Sequence, residues 1–252
     1  FRNVILTLIL LSLCMACART GSDANNAGSG LTGGYAISAS GDRAMALHWG
    51  ADKIFGYDLN LVDGSLSRDQ EAKGNYQSQE AIPHPGGRYV YVLSYESQTP
   101  GIISLYAFGA DHSINKVSET PVGRGRIPTG LILSPDGAYA YVLEAQGFGS
   151  THLVLYLVEP TTGELKRLST LVDFEQDILD MVMHPSGKFL YLFNAEMTGV
   201  QVVELLPLSA AATLKSTATF PQIGGLIRFT ADGKRAFAAP KNHRLLEVYS
   251  FQ

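Results

Sequence analysis

The chain has 252 residues, of which 46% are hydrophobic and only 17% are charged, and this composition excludes intrinsic disorder. Its 26 Gly and 11 Pro favour many short strands joined by turns over helical bundles. The formal net charge of −4 argues against nucleic acid as a partner, because phosphate binding requires a basic surface.

The first sixteen residues have the pattern of an export signal. Arg2 precedes an apolar run from Val4 to Leu13, and Ala16 and Cys17 follow this run. The order is a charged segment, a short apolar segment and a small residue before a cleavage site. The apolar run is shorter than the roughly 20 residues that span a bilayer, and a truncated transmembrane anchor is the alternative.

This segment resembles a bacterial lipoprotein signal, which implies that a lipid is attached to Cys17. The implied protein is held at the cell envelope by a membrane anchor and faces the periplasm or the cell exterior. Residues 18–34 contain five Gly and one large apolar side chain, so they are expected to form a flexible tether. The predicted organisation is therefore a signal peptide at 1–16, a lipidated Cys and tether at 17–34, and a folded domain at 35–252.

One turn pattern recurs five times in the predicted domain. Each copy is a short run around a central glycine, as in the Pro-Asp-Gly run that starts at Pro135. The five glycines lie at spacings of 46, 50, 50 and 46 residues, and they are Gly41, Gly87, Gly137, Gly187 and Gly233. A near-constant period of this length predicts a repeat fold.

Each turn leads into an apolar strand. In the runs 89–93, 139–143 and 189–193, both alternating sets of side chains are apolar, so both faces of each strand should be buried. Tyr91, Tyr141 and Tyr191 should occupy equivalent buried positions. A third strand follows in each repeat. In the first four repeats a polar outermost strand is expected after it, at Leu66–Asp69, Ile114–Glu119, Leu165–Thr170 and Leu214–Thr219. This pattern predicts an all-β fold, a β-propeller of four-stranded blades that pack face to face. The repeats span about 35–76, 77–125, 126–175, 176–221 and 222–252, the last incomplete.

The runs Ser134–Leu143 and His184–Asn194 resemble repeats of the seven-bladed lactonase (phosphogluconolactonase-like) propellers and of the related YVTN-type surface propellers. The resemblance covers Tyr35–Gln252 and is carried by turn and blade-core residues. It implies seven blades, of which about four and a half to five are present, so the sequence is expected to be a fragment. A five-bladed ring is the alternative. The resemblance also implies hydrolysis of a lactone.

Repeat geometry places one set of side chains at the mouth of the central channel. The residues seven before and seven after each turn glycine approach the same end of the blades, which we call the mouth face. They include His48, Glu80, Glu144 and Asp180. The sequence therefore predicts that acidic side chains and a histidine converge there.

Arginines are expected at the same place. Arg124 and Arg126 lie in the loop before the third repeat, and Arg228 stands on an innermost strand where the other repeats carry apolar residues. A charge at that position requires channel water or a partner. The functional interpretation is a pocket for an anionic or sugar-like ligand, with Arg126 and Arg228 holding a carboxylate or phosphate. The alternative is that Glu80, Asp180 and Arg228 pair with each other in a solvated channel.

The histidines of the repeat turns are expected to be structural. His84 and His184 lie before the second strand, on the end opposite the mouth face, where they can stabilise the turn. The remaining three, His112, His152 and His243, are not spaced as metal ligands. The sequence has no G-x-S-x-G nucleophile elbow and no dinucleotide or phosphate loop, so we predict neither a metal nor a cofactor.

Two functions remain open at this point. One is a binding module that presents its mouth face to a small ligand or a protein partner. The other is the lactone hydrolase that the resemblance implies, with Glu144 or His48 as the base and Arg126 or Arg228 stabilising the oxyanion. Enzymes of that family tend to carry a histidine in a segment leading into an inner strand, but residues 127–131 and 178–181 lack one. This departure, together with the predicted export, favours the binding module.

Overall fold

The computed structural model describes residues 32–37, 42–48, 53–75, 78–95, 100–109, 111, 113–147, 149–194, 200–206, 211–218, 227–238 and 247–250. Every regular element in these segments is a β-strand, which confirms the all-β prediction. None of the described segments forms a helix long and apolar enough to cross a membrane. The chain divides into two compact units.

The first unit contains two antiparallel sheets of four strands. The first sheet has the order β1 (Thr32–Ile37), β2 (Arg43–His48), β3 (Lys53–Leu59) and β4 (Leu66–Lys73). The second sheet has the order β5 (Ser78–Pro83), β6 (Tyr89–Ser94), β7 (Ile102–Phe108) and β8 (Ile114–Pro121). Sequential order across the sheet is the arrangement predicted for a propeller blade.

The second unit contains three sheets with the same sequential order. The first of them consists of β9 (Ile127–Leu133), β10 (Tyr139–Ala145), β11 (Thr151–Val158) and β12 (Leu165–Phe174). The next consists of β13 (Ile178–Met183), β14 (Phe189–Asn194), β15 (Val200–Leu206) and β16 (Ala211–Ala218). The last has three described strands, β17 (Ile227–Phe229), β18 (Arg235–Ala238) and β19 (Glu247–Ser250).

Four of the five predicted repeat turns lie within the described residues, and each joins the first two strands of its sheet. Gly87, Gly137, Gly187 and Gly233 all have φ between 70° and 73°. Glycine adopts this left-handed backbone without the steric penalty that a Cβ imposes. The recurrence of glycine in the sequence therefore reflects one repeated backbone conformation. Gly41, the first glycine of the series, lies outside the described residues.

Each unit buries its apolar core between neighbouring sheets. In the first unit, Met45, Leu47 and Ile54 pack with Val90, Val92 and Tyr106. In the second unit, Tyr141, Leu143, Leu153 and Leu155 pack with Ile178, Met181, Leu190, Leu192 and Val203. The strands of these cores are covered on both faces, as all six residues of β6 are buried. Face-to-face packing of blades is thereby confirmed within each unit.

Tyr191 differs from its equivalents in the other repeats. Tyr91 and Tyr141 are at most 1% exposed, whereas Tyr191 is only partly buried. Its ring contacts Phe229, with 5.0 Å between the ring centroids. Phe229 belongs to β17 of the neighbouring sheet. Tyr191 therefore occupies the predicted equivalent position of its strand, opposite Val182, but it is less buried than predicted.

The outermost strands are polar, as predicted, but they are longer than the sequence pattern indicated. β12 runs to Phe174 rather than to Thr170, and β4 runs to Lys73 rather than to Asp69. Most side chains of β12 are exposed or partly exposed. β12 remains hydrogen-bonded to β11 as far as Phe174. Its alternation of polar and apolar side chains ends earlier, so the sequence pattern underestimates the length of the strand.

Candidate functional site

The innermost strands carry a β-bulge at a repeated position. The register between β5 and β6 shifts between Ser78 and Glu80, and the register between β13 and β14 shifts between Ile178 and Asp180. A bulge redirects the side chains around it and is common beside functional sites. The two acidic residues predicted on innermost strands therefore both follow a bulge near the strand start.

Asp180 is the more enclosed of these two carboxylates. It is partly buried, and its Oδ1 accepts a hydrogen bond of 2.8 Å from the backbone N–H of Met181. Burial raises the pKa of Asp180, and the Met181 N–H and the positive charge of Arg228 oppose this rise. Arg228 lies on β17 with an exposed side chain. The second unit thus brings together two of the predicted site residues, a carboxylate that retains its proton more readily than usual and a nearby guanidinium.

Glu144 lies in a different environment from the one expected at an open channel mouth. Its side chain has 0% exposure. Glu144 Oε1 accepts a hydrogen bond of 2.7 Å from the hydroxyl of Tyr156. Glu144 Oε2 lies 3.2 Å from Arg126 Nη1 and 3.5 Å from Arg167 Nη2, and it accepts the Gly123 N–H at 3.3 Å. We call these five residues the Glu144 network.

The Glu144 network joins three parts of one sheet. Gly123 and Arg126 precede β9, Tyr156 lies on β11, and Arg167 lies on the outermost strand β12. A buried carboxylate that is hydrogen-bonded on both oxygens stabilises the arrangement of its donors and is costly to disturb. Burial and the hydrogen bond to Glu144 raise the pKa of Tyr156, so its hydroxyl remains a donor. The geometry of Glu144 suits a structural role better than activation of water.

The sequence pattern indicated Arg126 and Glu144 as site residues but gave no indication of Tyr156 and Arg167. Tyr156 has an equivalent one repeat earlier, because Tyr106 lies on β7 and is also fully buried. Tyr106 donates its hydroxyl to the Lys73 carbonyl at 3.0 Å. A buried tyrosine usually needs a hydrogen-bond partner for its hydroxyl. The recurrence of Tyr on the third strand of two repeats is therefore the sequence signal that points to a polar group nearby.

The other predicted site residues are not brought into these two groups. Glu80 lies on β5 of the first unit and is exposed. His48 ends β2 in the same unit, and its side chain is outside the described part of the structure. Arg124 is exposed in the loop before β9. Cys17, the predicted lipid attachment site, lies outside the described residues.

The two turn histidines make the structural contacts that the sequence predicted. His84 Nδ1 accepts the backbone N–H of Gly86 at 3.0 Å. His184 Nε2 donates to the Gly233 carbonyl at 2.9 Å, and His184 Nδ1 accepts the Ser186 N–H at 3.2 Å. Each ring therefore holds a turn. Within the segments that the structure describes, no group of three potential ligands could hold a metal ion.

Comparison with known proteins supports the fold and a lactonase resemblance. No family model matches the sequence. A probable 6-phosphogluconolactonase from Arthroderma benhamiae is 29% identical over 138 residues, which is 52% of this chain and 35% of that protein. The match therefore spans about a third of the length of the curated relative.

Solved structures provide the second comparison. The Pseudomonas aeruginosa periplasmic gluconolactonase PpgL has a TM-score of 0.54 at 14% identity, over 88% of this chain and 82% of its own. The β-propeller domain of Cps50 (Swd1) from Myceliophteria thermophila has a TM-score of 0.58 at 15% identity, over 87% of this chain and 69% of its own.

The chain has the β-propeller fold. The sheets of the two units are accordingly its blades, with β1, β5, β9, β13 and β17 as the innermost strands. In this propeller, Asp180 and Arg228 lie on innermost strands, whereas most of the Glu144 network lies farther out along its blade. The pair on the innermost strands is therefore the stronger candidate for ligand chemistry.

Proposed function

We propose that this protein is a lactone hydrolase that acts on a sugar lactone, with Asp180 and Arg228 at its reaction centre. The observation that carries the proposal is the 29% identity to a probable 6-phosphogluconolactonase over 138 residues. This favours the hydrolase over the binding module that sequence analysis preferred. The raised pKa of Asp180 beside the charge of Arg228 supplies a site where the chemistry can be placed.

Hydrolysis of a lactone requires a base for water and a stabiliser for negative charge. In the proposed reaction the Asp180 carboxylate takes a proton from water as the water oxygen bonds to the ring carbonyl carbon. Arg228 stabilises the resulting oxyanion. The ring C–O bond then breaks, the ring oxygen takes the proton from Asp180, and the product is the open hydroxy acid. A carboxylate whose pKa is raised is a stronger base, which suits the first step.

The test is turnover of glucono-δ-lactone and of its 6-phosphate by the full-length protein, with spontaneous hydrolysis subtracted. General base catalysis typically contributes about 10²–10⁴-fold, so Asp180→Asn should lower kcat by at least about a hundredfold. Arg228→Ala should lower kcat/KM by about tenfold or more, as expected for loss of a charged contact. The matched control variants are Glu175→Gln and Lys188→Ala, which alter exposed charges of the same unit. Turnover that is unchanged in Asp180→Asn would refute the assignment.

The binding module remains the second candidate, because two charged side chains near each other also suit recognition of an anion. The same protein distinguishes the two functions. A lactone or its open acid that raises the thermal unfolding midpoint without turnover would favour the binding module. In that case Arg228→Ala should remove the shift in the midpoint.

We also propose that the protein acts outside the cytoplasm and is held at the membrane by a lipid on Cys17. The charged and apolar start of the chain, followed by Ala16-Cys17 and a Gly-rich stretch, supports this location. The Pseudomonas aeruginosa neighbour is described as periplasmic, which is consistent with it. Cys17→Ser should move the protein from the membrane fraction to the soluble fraction. Retention of the variant in the membrane fraction would contradict the lipid anchor.

A further inference from the structure

A serine, a histidine and an aspartate lie together at one end of the blade formed by β9–β12. Ser150 immediately precedes β11, His152 lies on β11, and Asp173 lies opposite His152 on β12. His152 Nδ1 is hydrogen-bonded to Asp173 Oδ1. His152 Nε2 lies 3.5 Å from Ser150 Oγ. The order of contacts is hydroxyl, Nε2, Nδ1 and carboxylate, which is the order of a nucleophilic triad.

The contacts fix the tautomer of His152. A carboxylate can only accept a hydrogen bond, so Asp173 holds the proton of the neutral imidazole on Nδ1. The lone pair of Nε2 therefore faces the Ser150 hydroxyl. The 3.5 Å separation is longer than an ideal hydrogen bond, as is common before a substrate binds.

The backbone holds Ser150 in place. The Ser150 carbonyl accepts the Gln146 N–H at 2.9 Å, and the Gly149 N–H donates to Asp177 Oδ1 at 2.8 Å. Gly147 and Gly149, with φ of 66° and 86°, supply the left-handed backbone of the turn before Ser150.

A second serine and histidine in the same unit provide a built-in comparison. Ser186 Oγ lies 2.8 Å from His184 Nδ1, closer than Ser150 lies to His152. His184 Nδ1 already accepts the Ser186 N–H, and its Nε2 donates to the Gly233 carbonyl rather than to a carboxylate. Proximity alone favours Ser186, whereas the triad order favours Ser150.

We propose that Ser150 is a nucleophile activated by His152 and positioned through Asp173, and that it cleaves exposed carboxylic esters. Ser150 Oγ bonds to the acyl carbon as its proton passes to His152 Nε2. The ester C–O bond then breaks, and the alcohol leaves with that proton. Water attacks the acyl group and gives a proton to Nε2, the acyl–Oγ bond breaks, and the proton returns to Ser150 as the carboxylic acid departs. This centre uses different side chains from the Asp180 and Arg228 pair.

The experiment is covalent labelling of the full-length protein with an alkyl fluorophosphonate, followed by peptide mass mapping. The phosphonyl group should be found on Ser150, and Ser150→Ala should abolish this labelling. The labelling rate should fall at least about a hundredfold in His152→Gln, the range expected for loss of a general base. Ser186→Ala should label at the unchanged rate. Absence of label on Ser150, label on Ser186, or an unchanged rate in His152→Gln would overturn the proposal.

Asp173 is a positioning residue, and its variant separates positioning from folding. The Asp173 side chain is 71% exposed, so Asp173→Asn should leave the thermal unfolding midpoint unchanged. The labelling rate should nevertheless fall by about tenfold or more, because Asn does not stabilise the imidazolium. Hydrolysis of 4-nitrophenyl acetate by the same variants gives a second readout, in which Ser150→Ala should lose the activity. A rate of labelling in Asp173→Asn equal to that of the unaltered protein would refute the role of Asp173.

The two proposed centres can fail separately. Asp180→Asn should lower the turnover of glucono-δ-lactone far more than Ser150→Ala does, because a lactone is itself an ester that Ser150 can attack slowly. Labelling of Ser150 should persist in Asp180→Asn. Loss of lactone turnover in Ser150→Ala alone would reassign the lactone chemistry to Ser150 and refute the role of Asp180. Loss of labelling in Asp180→Asn, with a normal unfolding midpoint, would show that the centres are not separate.

Discussion

Two tyrosines of the same blade are equally buried but differ in what their hydroxyl groups contact. Tyr141 and Tyr156 are at most 1% exposed. The Tyr156 hydroxyl donates to the Glu144 carboxylate at 2.7 Å. The Tyr141 hydroxyl has no hydrogen-bond partner in the described part of the protein. Removing the Tyr156 hydroxyl therefore measures what its hydrogen bond to Glu144 contributes to the free energy of unfolding. Removing the Tyr141 hydroxyl is the control, because Tyr141 is equally buried.

We expect Tyr156→Phe to lower the free energy of unfolding by about 1.5–3 kcal/mol, since it removes a hydrogen bond to a charged group. Tyr141→Phe should change this free energy by less than about 0.5 kcal/mol or increase it, because the lost hydroxyl was buried without a partner. Urea denaturation of the two variants checks both values. Equal changes in the two variants would show that the hydrogen bond from Tyr156 to Glu144 does not stabilise the fold.

Gly233 is expected to tolerate a side chain less well than Gly125, although both have φ of 70°. A Cβ at Gly233 would lie 2.6 Å from His184 Cε1, and His184 is held by its hydrogen bonds. A Cβ at Gly125 would meet nothing within 4 Å. Gly125→Ala should cost about 1–2 kcal/mol from the left-handed backbone alone. Gly233→Ala should cost about 1–3 kcal/mol more from steric overlap, as measured by the denaturation midpoint. Similar costs at both positions would contradict the steric argument.

At the level of strands and turns, most of the fold could be predicted from the sequence. Glycine is required where the backbone is left-handed, so the repeated turns around Gly87 and Gly137 were visible as a period. Strands buried on both faces, such as β6 and β10, are continuous apolar runs that are also visible in sequence. The ends of the exposed strand β12 were less clear, because its side chains face solvent along much of its length and carry little pattern.

The candidate sites were harder to predict because they depend on contacts across strands. Asp180 could be placed on an innermost strand, but the bulge before it changes the register and is not encoded by a recognisable residue. The sequence spacing of His152 indicates no site, and only the pairing of β11 with β12 places it opposite Asp173. Arg167 stands on a polar outermost strand whose pattern resembles any solvated surface. Such contacts require the exact register, which side-chain periodicity does not provide.

The different burial of equivalent tyrosines gives a prediction for the blades. Tyr141→Ala should lower the free energy of unfolding by about 3–5 kcal/mol, the usual range for a buried aromatic side chain. Tyr191→Ala should cost less, because Tyr191 is only partly buried against Phe229. Chemical denaturation of both variants measures the difference. A larger cost at Tyr191 than at Tyr141 would contradict the link between burial and stability at these two positions.

At the level of the whole molecule, stability depends on tyrosines as well as on aliphatic side chains. Tyr91 and Tyr106 are fully buried in the first unit, and Tyr141 and Tyr156 are fully buried in the second. Burial raises the pKa of each of these tyrosines. The same ionisable group is thus enclosed in both units, and the folded state of each should respond to alkali in the same direction.

The last prediction concerns unfolding at high pH. Burial raises the pKa of Tyr141 from 10.0 to about 12, so between these values the unfolded chain loses this proton and the folded chain keeps it. The folded state then binds more protons, and the free energy of unfolding falls as pH rises, by about 1.4 kcal/mol per pH unit for each such tyrosine. The buried tyrosines should therefore leave the free energy of unfolding unchanged below pH 10 and should lower it steeply above pH 10. The absorbance of tyrosinate should rise cooperatively as the protein unfolds. In Tyr141→Phe, the free energy of unfolding should fall less steeply above pH 10, by the contribution of one proton, or about 1.4 kcal/mol per pH unit. Gradual ionisation of all tyrosines in the folded protein, with no loss of structure, would contradict this account of the core.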